Sequence, residues 1–90
     1  MGYTKYEIEF SDAAAEDLRF FSKSGQLTTI KKIKNLIDSI SENPVTGIGK
    51  PELLKHNLAG YYSRRIDREH RIVYKVDQQT IHILSLRGHY

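Results

Sequence analysis

Three stretches late in the chain, YYSRRID (61–67), HRIVYKV (70–76) and TIHILSLR (80–87), are rich in β-branched and aromatic residues and are separated by only a few turn-forming residues. The connections Asp67 to Glu69 and Asp77 to Gln79 are too short for a crossover, so consecutive strands must double back on each other. An antiparallel three-stranded meander follows. In its middle strand Ile72, Tyr74 and Val76 share one face, and Arg71, Val73 and Lys75 share the other. One face is therefore expected to pack on a core, and the other to present basic groups.

The remaining core must come from upstream. YEIEF (6–10) alternates Tyr6, Ile8 and Phe10 with Glu7 and Glu9, the period-two pattern of a half-buried strand. Ser11 or Asp12 then caps a helix through AAAEDLRFFSK, whose apolar side holds Ala14, Leu18 and Phe21 and which Gly25 breaks. A second helix is predicted from about Thr28 to Ser41, with Ile30, Ile33, Ile37 and Ile40 at three- and four-residue spacings beside Leu36, and Lys31, Lys32 and Lys34 on the outer face. Pro44 ends it, and a loop carrying Gly47, Gly49 and Pro51 follows. The expected fold class is α+β: an N-terminal strand, two helices, then the meander completing one sheet, in a single domain over residues 1–90.

The chain has no cysteine, which excludes disulfides, thiolate nucleophiles and cysteine–zinc sites and fits a reducing compartment. No apolar run approaches the ~20 residues a membrane helix needs, so a cytoplasmic protein with no membrane partner is expected. Net charge is +3, unevenly spread: residues 1–49 hold six Lys/Arg and seven Asp/Glu, whereas residues 50–90 hold eight and four, together with all four histidines. That distribution points to a polyanionic partner or to a solvated basic face.

The densest chemistry lies in KPELLKHNLAGYYSRRIDREHRIVY (50–74): six Lys/Arg, two histidines, three tyrosines, and Glu52 beside a proline in a stiff loop. Phosphate charge and base stacking suit such a mixture. RNA has a 2′-hydroxyl able to attack its own phosphodiester, a reaction that requires no metal or cofactor. It needs a base for the 2′ proton, a cation on the phosphorane oxygens and an acid for the departing 5′ oxygen. Glutamate with an ordinary pKa of ~4.3 is ionised at neutral pH, and histidine near ~6.5 is partly protonated. Glu52 and His89 fit those two parts, giving a bell-shaped pH dependence. Arg71 and Arg65 can each grip two phosphate oxygens, and Tyr61, Tyr62 or Tyr90 can stack on a base.

Blander uses stand beside these. Arg64 and Arg65 face opposite sides of one strand, so one of them is expected to be a plain surface or salt-bridge residue. Asp67 and Glu69 can simply neutralise neighbouring arginines, and His82 within TIHILSL suits a core or the sheet surface. Metal binding by the histidines lacks the usual ligand spacing. From the residues alone, His89 is open between a catalytic acid and an inert chain end. The strand preceding it would hold GHY (88–90) against the sheet, since chain ends fray unless tied down.

The stretch GIGKPELLKHNLAGYYSRRIDREHRIVY with a terminal HY resembles the YoeB/Txe toxins of bacterial toxin–antitoxin pairs, which have the RelE-type microbial ribonuclease fold. KPE, LKHNL, SRRI and EHR carry the likeness most densely, and FSDAAAEDLRFF extends it loosely. The resemblance implies a ribosome-dependent mRNA endonuclease that cuts in the ribosomal A site, leaves a 2′,3′-cyclic phosphate or 3′-phosphate, and is inhibited by a YefM/Phd-type antitoxin. By matching motif it implies Glu52 as general base, Arg71 on the charged transition state, His89 as acid and Tyr90 orienting substrate. Lys55, His56, Arg65 and Tyr61 would hold RNA. Homodimers are common in the family, and an acidic antitoxin segment is expected over the basic face.

Two departures stand out. Gly88 replaces a bulky, often aromatic residue, which predicts a looser approach to His89, and the opening MGYTK runs past shorter members. Two rivals remain at this level: a ParE-like gyrase poison of the same fold, which has no use for the set Glu52, Arg71 and His89, and a non-catalytic RNA or ribosome binder.

Overall fold

The computed structural model describes residues 5–88. Strand β1 (Glu7–Phe10) leads into helix α1 (Asp12–Lys23) and helix α2 (Leu27–Glu42). A two-residue strand β2 (Glu52–Leu53), a 3-10 turn (His56–Leu58), and strands β3 (Tyr62–Arg65), β4 (Arg71–Asp77) and β5 (Thr80–Gly88) follow. The sheet order is β1-β5-β4-β3-β2. Strands β2 to β5 run antiparallel to their neighbours, while β1 lies parallel to β5, with Ile8 opposite Ile81. The α+β class and the meander agree with the sequence reading; β2 is an addition to it.

Helix α1 begins where its cap predicts. Ser11 Oγ accepts from the Ala14 N–H at 3.0 Å and donates to the Leu84 carbonyl at 2.7 Å, so one hydroxyl both caps the helix and fixes it to β5. Asp17 adds a second tie by accepting from the Leu86 N–H at 2.9 Å. Helix α2 is one residue longer at each end than its isoleucine spacing suggests. Ile33, Leu36 and Ile40 are buried against Phe21, Ile72, Tyr74, Ile81, Ile83 and Leu86, so both helices cover one face of the sheet. No helix among the described residues is long and apolar enough to cross a membrane.

Alternation in β4 departs from expectation at one point. Ile72 and Tyr74 are buried beneath the helices, but Val73 on the opposite face is fully buried too. The register with β5 shifts on both sides of it, the mark of a bulge, which re-aims side chains locally.

Of the two arginines on opposite faces of β3, Arg65 is the exposed one and Arg64 the buried one. Arg64 points inward between the sheet and the end of α2, is wholly inaccessible, and forms no salt bridge among the described residues. Its guanidinium donates to five neutral acceptors: Tyr74 Oη (3.0 Å), Ser39 Oγ (2.8 Å) and the carbonyls of Asn43 (2.7 Å), Thr46 (2.9 Å) and Ile48 (3.2 Å). A buried cation is tolerable when its donors are satisfied in this way. The loop closes tightly around it. Gly47 has φ 131°, and a Cβ there would lie 2.5 Å from Ser39 Oγ and 2.9 Å from Arg64 Nη1. Only glycine fits that approach.

The turn between β3 and β4 is held by Asp67, whose Oδ1 accepts from the N–H groups of Glu69 (2.8 Å) and His70 (2.7 Å). Partial burial pushes its carboxyl up, but those N–H groups and the His70 ring outweigh it and hold the carboxyl below its ordinary value. A carboxylate with a depressed folded pKa adds stability above its unfolded pKa of ~3.9, and loses it as pH falls through the folded value. Asp67→Ala should cost about 1 kcal/mol at neutral pH, discounted for its partial exposure, and little in strong acid. Urea unfolding at the two pH values measures the difference.

Candidate active site

The sheet face away from the helices carries the predicted polar residues in rungs set by the strand register. Glu52 pairs with Ser63 and Ser63 with Val73, which in turn pairs with Ser85. One rung further, Arg65 pairs with Arg71 and Arg71 with Gly88. Alternate residues of a strand share a face and lie ~7 Å apart, so these two rungs form one surface.

At its centre Arg71 Nη1 lies 3.0 Å from Glu52 Oε1 and 3.3 Å from Ser63 Oγ. The Arg71 side chain is 18% exposed and the Glu52 side chain 62%. A fixed cation is thus backed by the sheet, with a carboxylate at its open side. Glu52 is not in a loop as the proline beside it suggested; two residues of β2 pair with β3 and fix its direction. Lys50 (φ 53°) and His56 (φ 62°) bracket this segment in the left-handed region, which non-glycine residues seldom occupy. Such strain tends to be kept where geometry matters.

The other predicted residues are spread around this pair. Arg65 is exposed on Arg71's rung. Lys55 and His56 are exposed beyond β2, at the start of the 3-10 turn. Tyr61 lies on the far side of Ser63, with Lys75 Nζ 5.7 Å from its ring centre. Tyr62 turns to the helix side, where it is partly buried against the core and stacks on Tyr74 at 5.8 Å, on the face opposite Glu52 and Arg71. His82 sits on the outer face with Nδ1 3.3 Å from Glu9 Oε1, in agreement with a sheet-surface position. His89 and Tyr90 lie outside the described residues; Gly88, the residue before them, is buried opposite Arg71.

Sequence reasoning overlooked Ser63, whose buried hydroxyl steadies Arg71. Its signal was present: Ser63, Arg65 and Arg71 share a face once the meander is drawn. Arg71 should lose some of its fixed direction in Ser63→Ala. Arginine side-chain NMR is expected to show faster motion of its guanidinium, with the thermal midpoint nearly unchanged.

With this geometry in view, the chain's relatives are informative. The family model describing YoeB-like toxins of bacterial type II toxin–antitoxin systems matches residues 10–90. Toxin YoeB of Synechocystis sp. is 43% identical over 84 residues, spanning 93% of this chain and 96% of the relative. The structure of a YoeB dimer from Staphylococcus aureus superposes with a TM-score of 0.86 at 49% identity, covering 96% of this chain and 99% of the other. The toxin in a heterotetrameric YoeB–YefM toxin–antitoxin complex from the same organism gives 0.83, also at 49% identity, with the same coverage of both chains. The matched region includes β2 to β5 and the Glu52–Arg71 pair they build, so this chain belongs to the YoeB-like toxin family of bacterial type II toxin–antitoxin systems.

Proposed function

We propose that the protein is an endoribonuclease toxin that cuts mRNA in the ribosomal A site by 2′-hydroxyl attack. The observation that carries this reading is the Glu52–Arg71 contact on an open sheet face. A surface that only held RNA would gain nothing from a carboxylate at its centre, where it repels phosphate and neutralises an arginine. A phosphodiester-cleaving site needs both groups there.

In the proposed reaction Glu52 removes the proton from the 2′-hydroxyl as that oxygen attacks the adjacent phosphorus. Arg71, held by Ser63, neutralises the charge developing on the non-bridging oxygens. His89 then protonates the departing 5′ oxygen and Tyr90 orients the substrate. Both follow Gly88 directly in the sequence, and Gly88 pairs with Arg71. Arg65, Lys55 and His56 hold phosphates around the pair, and Tyr61 supports a base. Proton transfer contributes ~10² to 10⁴-fold; positioning on the ribosome supplies the rest. A YefM-type antitoxin with an acidic segment is the inhibitor, covering the basic face and the chain end, and a second copy of the toxin is a further partner.

The reading is tested by primer extension on an mRNA translated in a purified bacterial system, with wild type and His89→Gln at matched concentration. Cuts within the A-site codon that disappear in the variant are expected. Arrested translation on intact mRNA would instead make the protein a binding toxin.

A further inference from the structure

The rung beside Ser63 in the direction away from Arg71 forms a second recess. Lys75 pairs with His82, and His82 with Glu9, while Tyr61 reaches across from the start of β3. Glu9, Phe10, Ser11, Tyr61, His82 and Leu84 line a cavity of about 200 Å³ there. That is smaller than the ~300 to 1,000 Å³ of drug-sized sites and suits one planar ring. Its polar groups are arranged rather than scattered: Glu9 Oε1 lies 3.3 Å from His82 Nδ1, and Asp77 Oδ2 lies 4.0 Å from His82 Nε2. The imidazole is held between carboxylates, and Glu9, 63% exposed at its side chain, keeps acceptor capacity free for a ligand.

We propose that this recess is a base subsite that selects a nucleobase bearing an exocyclic amine, on the same sheet face as the scissile phosphate and more than one nucleotide from it; it rests on the nuclease reading above. The recess lies on the same sheet face as Arg71 but toward the β1 edge: Lys75 is four residues along β4 from Arg71, ~13 Å, and His82 and Glu9 lie one and two strands beyond it. A base more than one nucleotide removed from the phosphate on Arg71 therefore reaches it. Tyr61 supplies an aromatic wall for the base face, and Lys75 beside Tyr61 supplies charge for the backbone. Glu9 accepts from the amine of cytosine, adenine or guanine. Uracil presents carbonyl oxygens at the corresponding edge positions, and against a carboxylate those repel.

Two measurements test this. Cytidine and uridine 5′-monophosphates are titrated separately into the protein and followed by the ring NMR signals of His82 and Tyr61. Saturable shifts with the cytidine nucleotide, larger than with the uridine one and reduced in Glu9→Gln, are expected. In parallel, ribosome-dependent cleavage is timed on mRNAs carrying each base in turn at each of the three positions on either side of the cut. At one position beyond the flanking nucleotides uracil should slow wild type about tenfold, the factor given by ~1.4 kcal/mol. Glu9→Gln, whose amide can donate as well as accept, should bring that ratio near unity, and His82→Leu should weaken it. An unchanged ratio at every position, or nucleotide titrations that leave His82 and Tyr61 unmoved, would overturn the subsite. Absence of any cleavage by wild type, with the His82 shifts intact, would overturn the nuclease reading and leave the subsite standing.

Discussion

Glu52→Gln is expected to abolish mRNA cleavage while leaving the protein folded and bound to the ribosome. The amide keeps the shape of the carboxylate and can still accept from Arg71 through its oxygen, so the 3.0 Å contact has a neutral replacement. It cannot take a proton from a 2′-hydroxyl at neutral pH. The loss should be at least the ~10² to 10⁴-fold attributed to general base catalysis. Single-turnover cleavage on stalled ribosomes, with binding measured separately, reads the two effects apart. Because Glu52 is mostly exposed and sits on an edge strand, thermal stability should move by under about 0.5 kcal/mol, as for other surface changes. Equal losses of binding and cleavage would place Glu52 in docking instead of chemistry.

The largest stability effect should come from a residue that touches no substrate. Arg64→Ala leaves Tyr74 Oη, Ser39 Oγ and three carbonyls without their donor, and each orphaned buried group costs about 1 to 3 kcal/mol. Water entering the vacated space offsets part of this, so a net loss of about 3 to 5 kcal/mol is expected. For a domain of this size that lowers the thermal midpoint by roughly 12 to 40 °C, taking 4 to 8 °C per kcal/mol. Arg64→Lys should recover only part of it, since one ammonium cannot span acceptors on α2, the 43–48 loop and β4 together. The same cage predicts alkaline sensitivity. Burial pushes the Tyr74 phenol above its ordinary value, and the Arg64 hydrogen bond counters this only in part. A group whose folded pKa is raised contributes stability below its unfolded value of ~10 and loses it as pH rises through the folded value. Wild type should therefore weaken in strong base, and Tyr74→Phe should remove that component along with the hydroxyl's bond to the Pro44 carbonyl at 2.7 Å. Thermal melts of these variants across alkaline pH provide the check.

The parts of this fold that rest on local patterning were legible in the chain itself. Isoleucines at helical spacing marked α2, Ser11 marked the start of α1, and short polar turns required the meander. Pairing between distant segments was not. Nothing in EIEF specifies that it runs parallel to β5, because that choice depends on how α1 and α2 cover the sheet. Strand β2 is only Glu52 and Leu53 beside a proline, too short for any periodicity to register. Arg64 was hidden for a different reason. Alternation places it inward with Tyr62 and Ile66, but charged residues are rarely wholly buried, so residue type argued against position. The signal that could have decided it is the glycine-bearing loop 43–49, whose free carbonyls need donors. For the candidate site, motif spacing named Glu52 and Arg71, and the β2–β3–β4 ladder brought them into contact. The same alternation put Tyr62 against the core on the helix side, away from the face that carries Glu52 and Arg71.

The most direct test of the central claim is to place a single 2′-deoxynucleotide immediately 5′ of the cleaved bond in an mRNA stalled on the ribosome. If Glu52 activates that 2′-hydroxyl beside Arg71, wild-type protein will bind the complex and leave the message intact, while cutting the all-ribose control. Cleavage of the deoxy-substituted message at the same bond would contradict the mechanism and require a nucleophile other than the RNA itself.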